Sequence, residues 1–256
     1  MILPAILQPF ESQIQETLKP YIKISLKESE NISLTNSKVG GHPYWPVNEP
    51  YPVSPEHEPL RLLAQINFSE IPQGIEELPT TGLLQFFLAS DDLYGMDFDE
   101  PATQEGFRVV YHETTEAPAL DDFSFLDAIS YDEFPLDEVL ELAMSFDIKE
   151  AAMSSETYDF DAHFGEEFRE NDDLMEAYYE LFSGLEHRIG GYPGFTQFDP
   201  RDDDTPFDFL LFQLDSETVG SQEILWGDVG IGNFFINTDD LKQKNFSHVL
   251  YNWDCG

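Results

Sequence analysis

The sequence contains few basic residues, and this scarcity excludes several classes of partner. Only 12 Lys and Arg stand against 51 Asp and Glu, which gives a formal net charge of −39 at pH 7 over 256 residues. A field of that sign repels nucleic acid and anionic lipid, so we expect neither as a direct partner. It favours a basic protein or a divalent cation, and it equally serves solubility or adaptation to salt.

Cysteine and long apolar runs are also scarce. The single cysteine, Cys255, cannot form an intramolecular disulfide, and the first residues, MILPAILQPFESQIQ, lack the basic segment and the cleavage site of a secretory signal. We therefore expect a protein of the reducing cytoplasm. No stretch approaches the roughly 20 consecutive apolar residues of a membrane-spanning helix, so we expect no integral membrane segment.

The motifs of common enzyme classes are missing. The sequence has no G-x-S-x-G, no P-loop and no H-E-x-x-H, and one cysteine excludes a zinc site built on a Cys pair. The segment 112–116, HETTE, has Glu where the second zinc-binding His would stand, and we interpret it as a coincidence. The six histidines have no ligand-like spacing, and no nucleophile, base and orienting residue can be assembled from the sequence.

The chain matches itself at an offset near 150 residues. GGHP at 40–43 is matched by GGYP at 190–193, and FFLASDDL at 86–93 is matched by FFINTDDL at 234–241. Such self-similarity indicates an internal repeat. We predict an α+β fold, mainly antiparallel β, in which two similar β-rich units from a duplication pack about a pseudo-two-fold axis.

Each unit contains short apolar runs that are typical of buried strands. LRLLAQINF at 60–68 and FDFLLFQLDS at 207–216 have strand length, and FRVVYHE at 107–113 is a further candidate. A hydrophobic content of 41 % with 22 Phe supports a core that needs no disulfides. We place unit 1 at about residues 38–112 and unit 2 at about 187–256, within one compact domain that spans the whole chain.

An acidic segment, about residues 113–186, separates the two units. Its 23 acidic and two basic residues give it a net charge of −21, more than half of the total. Apolar residues at helical spacing predict one helix after Pro135 and a second between an Asn171 N-cap and Gly190. We therefore predict an acidic helical insertion between the units and an N-terminal helix before them. The apolar positions are Leu136, Val139, Leu140, Ala143 and Met144 in the first of these helices, and Ile6, Leu7, Phe10, Ile14 and Leu18 at the N-terminus.

An Asp-Asp pair occurs at the equivalent position of each unit. The four residues are Asp91, Asp92, Asp239 and Asp240. If the pseudo-two-fold axis brings the pairs together, four carboxylates could bind a divalent cation such as calcium or magnesium. The same acids also fit the first turn of a helix, with Ser90 and Thr238 as N-caps. We predict no other cofactor.

Aromatic residues and glutamines near the Gly-Gly-x-Pro turns are further binding candidates. Trp45 and Trp226 fit either the core, where such residues are most often found, or an apolar groove. Gln65 and Gln213 lie in apolar strands, so they either have internal hydrogen-bond partners or face a shared cleft. In the acidic segment, the candidate contacts for a basic partner are Glu166, Glu167, Asp172 and Asp173.

Six segments occur together in one order over nearly the whole chain. They are VGGHPYWP, PLRLLAQINFSEIP, LPTTGLLQFFLASDDLYG, HRIGGYPGFTQFDPR, WGDVGIGNFFI and FSHVLYNWDCG. Together they resemble the YwqG-like family of bacterial proteins of unknown function. The resemblance implies a mainly antiparallel β fold with two similar halves and peripheral helices. It implies no activity, so no catalytic residue is carried over.

Two functions of different class follow from these patterns. The concentration of negative charge and the missing catalytic motifs favour a binding protein for a basic protein partner, for instance a neutralising, immunity-like protein for a toxin with a basic cleft. The alternative is an enzyme or a divalent-metal-dependent binder with its site between the two units, since clefts often form at such interfaces.

Overall fold

A computed structural model describes residues 3–130 and 133–256, which form a ten-stranded antiparallel sheet, a small two-stranded sheet and five short α-helices. The strands are β1 Lys19–Glu28, β2 Lys38–Gly40, β3 Arg61–Asn67, β4 Leu83–Leu88, β5 Phe107–His112, β6 Glu141–Ala151, β7 Arg188–Gly190, β8 Phe209–Asp215, β9 Glu217–Val219, β10 Gln222–Ile224, β11 Gly230–Ile236 and β12 Val249–Cys255. The helices are α1 Glu11–Glu16, α2 Phe160–Phe164, α3 Glu166–Arg169, α4 Asp172–Phe182 and α5 Thr238–Lys242. Single 3-10 turns are found at Gln8–Phe10, Phe68–Glu70 and Ser124–Leu126.

The large sheet curls into a nearly closed barrel. Its strand order is β12-β11-β8-β7-β1-β6-β2-β3-β4-β5, so β5 and β12 are the two outer strands. These strands approach each other, because the rings of Phe107 and Tyr251 lie 5.2 Å apart and the Tyr251 amide donates to the Pro101 carbonyl at 2.9 Å. The sheet therefore has a seam between β5 and β12 in place of two distant edges.

The central pair of the sheet joins the two halves of the chain. β1 and β6 pair over ten positions, from Lys19 opposite Ala151 to Glu28 opposite Leu142. Outward from β6 come β2 to β5, and outward from β1 come β7, β8, β11 and β12. β1 is the last strand before unit 1 but lies beside unit 2, and β6 is the last strand before unit 2 but lies beside unit 1. Neither unit therefore forms its part of the sheet alone.

The core lies inside the barrel and receives aromatic rings from both halves. Phe86 stands 4.8 Å from Phe212 and 4.7 Å from Phe234, measured between ring centroids. The predicted strands at 60–68, 107–113 and 207–216 are confirmed as β3, β5 and β8. β4 and β11 are buried along their whole length, as expected of strands that are covered on both faces.

The helix predicted after Pro135 is wrong, because this part of the acidic segment forms the central strand β6. Leu140, Leu142 and Met144 are buried while their neighbours are partly or fully exposed, and Val139 is 82 % exposed. This alternation has the period of a strand. The apolar residues at 136, 140 and 144 fit both periods, and ten residue pairs with β1 decide the outcome.

The second predicted helix is confirmed as α4, although it ends earlier than predicted. The Asn171 Oδ1 atom accepts a hydrogen bond from the Leu174 amide at 3.1 Å, as an N-cap does. The helix ends at Phe182, and Gly190 lies in β7 and not at the helix end. The N-terminal helix is present as a 3-10 turn followed by α1, and it ends before β1 begins. In the described ranges, no helix has the length and apolar character needed to cross a membrane.

Candidate functional site

The four acidic residues predicted to contact a partner lie together at the surface. Glu166 and Glu167 occupy the first turn of α3, and Asp172 and Asp173 occupy the first turn of α4; all four are exposed. Glu167, Asp172 and Asp173 line one shallow depression with Glu170. We call these five residues the acidic face. The positive end of the α4 dipole lies beneath its two Asp, which stabilises their charge.

Folding makes the surface more acidic than the composition suggests. In the described part of the chain, three of the 12 Lys and Arg are buried, namely Lys38, Arg61 and Arg188. Among the far more numerous acids of the same ranges, only Asp199 and Asp254 are buried. A quarter of the positive charge is therefore removed from the surface, while nearly all of the negative charge stays there.

Gln65 is fully buried and bonds to the backbone of unit 1. Its Oε1 atom accepts from the Tyr44 amide at 3.0 Å, and its Nε2 atom donates to the carbonyls of Leu34 and Asn36 at 2.9 and 2.8 Å. The side chain thereby ties the chain before β2 to the chain that follows the Gly-Gly turn. Of the two alternatives for this residue, internal hydrogen bonding is the one observed.

Gln213 makes the equivalent set of bonds in unit 2. Its Oε1 atom accepts from the Gly194 amide at 2.8 Å, and its Nε2 atom donates to the carbonyls of Gly184 and Glu186 at 2.8 and 2.6 Å. Both glutamines are 0 % exposed, so neither faces a cleft that a ligand could enter. They are structural anchors for the two turns.

The two candidate tryptophans belong to the core and not to a groove. Trp45 is 4 % exposed, packs edge-on against Phe87 and donates from Nε1 to the Glu49 carbonyl at 3.1 Å. Trp226 is fully buried and lies 6.4 Å from the Tyr251 ring. Their role in the structure is packing.

The Asp-Asp pair of unit 1 lies in a turn after β4. Asp91 Oδ1 accepts from the amides of Leu93 and Gly95 at 3.0 and 2.8 Å, and Asp92 is exposed. Residues 92–95 form a hydrogen-bonded turn and not a helix, so the prediction that Ser90 is an N-cap is wrong. The carboxylate of Asp91 stabilises that turn instead.

The pair of unit 2 lies in the first turn of α5, as the capping alternative predicted, but the N-cap is Asn237 and not Thr238. Asn237 Oδ1 accepts from the amides of Asp239 and Asp240 at 2.9 and 3.3 Å. In the part of the chain that the structure describes, no group of three or more His, Cys, Asp or Glu is placed to hold a metal ion. The two pairs are therefore not brought together as a set of four ligands.

A cluster of ionisable side chains that the sequence did not predict lies where β1, β7 and β8 meet. His187 Nδ1 accepts from the Asp215 amide at 2.9 Å, which leaves the proton on Nε2 to be donated to Glu217 Oε2 at 2.7 Å. Lys23 Nζ lies 2.5 Å from Glu186 Oε2. These five residues, the ionisable cluster, line one open pocket.

Contacts within the ionisable cluster shift several pKa values. The hydrogen bond from His187 lowers the pKa of Glu217. Burial raises the pKa of Asp215 above its ordinary value. Burial also acts to raise the pKa of Glu186, but hydrogen bonds and nearby positive charge, with Lys23 the largest contributor, bring it below the ordinary value. Of the three carboxylates in this pocket, two thus have a lowered pKa and one has a raised pKa.

The equivalent place in unit 1 has uncharged residues at two of these positions. Its own carboxylate, that of Glu70, accepts from the Ser37 amide at 2.9 Å. Ser37 Oγ accepts from the Asn67 amide at 2.8 Å, just as the His187 ring nitrogen accepts from the Asp215 amide. The backbone arrangement is shared, whereas a His and an Asp at these two positions are found in unit 2. Alignment of the two halves could have shown this difference, because Ser37 stands opposite His187 and Asn67 opposite Asp215 at the repeat offsets.

Comparison with known proteins identifies a family. Residues 37–255 match the family model described as "Domain of unknown function (DUF1963)", which covers β2 to β12 and leaves out only the N-terminal helix and β1. No curated protein matches the chain. Because the match extends over far more than half of the residues, the chain belongs to the DUF1963 family.

Proposed function

We propose that this protein is a binding module for a basic protein partner in the cytoplasm, and that the acidic face is its contact surface. One observation carries the proposal: four carboxylates predicted from the sequence are exposed side by side on two helices. The burial of Lys38, Arg61 and Arg188 supports it, because it leaves the protein surface as a whole with less charge of the opposite sign.

The acidic face is held on a firm support. Phe168 of α3 and Leu174 and Tyr178 of α4 are buried in a second apolar cluster, where the Tyr178 hydroxyl donates to the Met153 carbonyl at 2.7 Å. The backbone that carries these carboxylates therefore loses little conformational freedom when a partner binds, so the ordering cost is confined to the side chains themselves. Each exposed ion pair contributes little affinity by itself, so the face acts mainly by accelerating association and by rejecting acidic partners.

A neutralising, immunity-like role is the specific form of this proposal. A toxin that binds nucleic acid presents a basic cleft, and a rigid row of carboxylates complements such a cleft as phosphates do.

The test is capture of partners from a lysate of the native cell, at low and at physiological salt, with two matched variants. The test variant is E166Q/E167Q/D172N/D173N, and the control is D92N/D99N/E100Q/E105Q, whose four acids are exposed elsewhere. We expect a stoichiometric basic partner with the wild type and the control, and its loss with the test variant. Equal capture by all three proteins, or equal loss with both variants, would exclude the acidic face as the contact surface.

We also propose that the two units descend from a tandem duplication. Matching backbone geometry supports this, since Gly40 and Gly41 have φ of 70° and 66° and Gly190 and Gly191 have φ of 73° and 67°. Residues 29–37 connect β1 to β2, whereas residues 152–187 connect β6 to β7. The longer connection carries α2 to α4, so the acidic face belongs to an insertion that only one unit possesses.

A second candidate function, ligand binding or acid–base chemistry, is favoured by the ionisable cluster. Its pocket combines a His with an oriented tautomer, a Lys and carboxylates whose pKa values are shifted, which is a recurring property of functional sites. The variant H187S/D215N gives these two positions the residues that stand at the matching positions of unit 1. In a thermal-shift screen of metabolites, compounds that raise the melting temperature of the wild type should no longer do so in that variant. Compounds that stabilise both proteins equally would exclude this site.

A further inference from the structure

A pocket of about 410 Å³ lies beside the seam between β5 and β12, and we call it the seam pocket. It is lined by β5 with Gln104 on one side and by the segment that connects α5 to β12 on the other. The Gln104 side chain crosses it, since Oε1 accepts from the Val109 amide and Nε2 donates to the Phe246 carbonyl, both at 2.7 Å. The polar and charged side chains at this pocket are those of Gln104, Arg108, Tyr111, Lys244 and Ser247.

Arg108 differs from the other four arginines of the chain. Arg61, Arg169, Arg188 and Arg201 all donate hydrogen bonds to carbonyl or carboxylate oxygens. Arg108 is partly buried, and among the described residues it has no hydrogen bond and no ion pair; its Nε atom is fully buried without a partner. A buried N–H donor without a partner is costly, and the described part of a chain with 51 acids supplies no carboxylate to Arg108.

A second cation stands at the same pocket. Lys244 follows α5 with φ of 57°, a left-handed conformation that helix ends usually reserve for Gly or Asn. Its Nζ atom lies 3.3 Å from Glu113 Oε1 and 5.7 Å from the centroid of the Tyr111 ring. Glu113 is 76 % exposed in its side chain, so this ion pair is weak and its carboxylate is readily displaced.

We propose that the seam pocket binds a small oxyanion, a carboxylate or a phosphate, with Arg108 as its main ligand and Lys244 as the second charge. The planar guanidinium offers paired N–H donors that match either group, while the ammonium acts as a point charge. The oxyanion takes the position that the Glu113 carboxylate approaches. Because the pocket is lined by β5 and by the segment between α5 and β12, the bound anion joins the first outer strand to the chain that leads into the second.

Long-range charge sets the salt dependence of this site. The net charge of −39 repels any anion, and added salt screens that repulsion more than it weakens the close contacts in the pocket. Oxyanion affinity should therefore rise when the sodium chloride concentration goes from low to physiological. Binding of a basic protein at the acidic face should weaken over the same range. The two proposals therefore predict opposite salt dependences, and one can be refuted without the other.

The test is an NMR titration of the ¹⁵N-labelled full chain, with inorganic phosphate in one arm and acetate in the other. The backbone amide resonances of Val109 and Ser247, which line the pocket in every variant, are followed together with the Arg108 Nε–H resonance of the proteins that retain this arginine. We expect a saturable shift, at least tenfold weaker binding in R108Q, and tighter binding in E113Q, which removes the competing carboxylate. R169Q, an arginine away from the seam, should titrate like the wild type. The arm that saturates at lower concentration identifies the anion class.

Absence of a saturable shift in both arms up to tens of millimolar, or an unchanged titration in R108Q, would overturn the proposal. If R108Q does not fold, R108K keeps the charge without the paired donors and should bind several-fold more weakly. The E113Q result does not depend on the folding of R108Q or R108K. If E113Q binds the anion no more tightly than the wild type does, no anion competes with the Glu113 carboxylate.

Discussion

Replacement of Gln213 by Leu should destabilise the protein strongly. The side chain is fully buried and satisfies the Gly194 amide and the carbonyls of Gly184 and Glu186. Leu has a similar volume but leaves these groups without partners. Two of the three contacts are fully buried, and at about 1–3 kcal/mol for each unpaired group the free energy of unfolding should fall by about 2–6 kcal/mol. That is a large part of the ~5–15 kcal/mol typical of folded domains.

The assay for Gln213→Leu is urea denaturation followed by tryptophan fluorescence, with the denaturant slope as a check on two-state unfolding. Gln243→Leu is the matched control, because this glutamine is exposed and donates one hydrogen bond at the end of α5. Its effect should stay within about 0.5 kcal/mol. A loss below 1 kcal/mol for Gln213→Leu would refute the conclusion that the glutamine anchors the turn.

Three further predictions concern stability. Asn171→Ala removes the N-cap of α4 and should cost about 1 kcal/mol in the same urea experiment; no change would contradict the capping bond. Burial lowers the pKa of His112, so below about pH 6.5 the unfolded chain binds more protons than the folded protein, and stability decreases as the pH falls. The decrease in the urea midpoint between pH 7.5 and pH 5 should therefore be smaller in His112→Gln than in the wild type. Burial raises the pKa of Asp215, so its ionisation opposes folding above that pKa, and Asp215→Asn should raise the urea midpoint at pH 7.5. A lower midpoint would show that the charge contributes favourably.

Local signals predicted much of this fold. Apolar runs with flanking turns located β3, β5 and β8, and the Asn171 cap located the start of α4, because each of these depends on a few consecutive residues. The strand β6 could not be predicted in the same way. Its apolar residues fit a helix as well as a strand, and pairing with β1, more than 100 residues earlier, decides between them.

The candidate sites also differ in whether neighbouring or distant residues of the chain form them. The acidic face is contiguous in sequence, so composition and capping patterns were sufficient to find it. The ionisable cluster brings together Lys23, His187 and Glu217, which are far apart in the chain and meet because β1 lies beside β7. Among the described residues, Arg108 is unpaired because the fold places no hydrogen-bond acceptor beside its guanidinium, and no sequence motif predicts that.

The central claim is most directly tested by the association rate constant of the captured partner, measured by stopped flow with purified proteins from low to physiological salt. Electrostatic steering through the acidic face predicts a rate that falls steeply with salt. It also predicts a rate about tenfold lower for E166Q/E167Q/D172N/D173N at low salt and a much smaller change for D92N/D99N/E100Q/E105Q. A rate that is indifferent to salt, or that falls equally in both variants, would contradict the proposed contact surface.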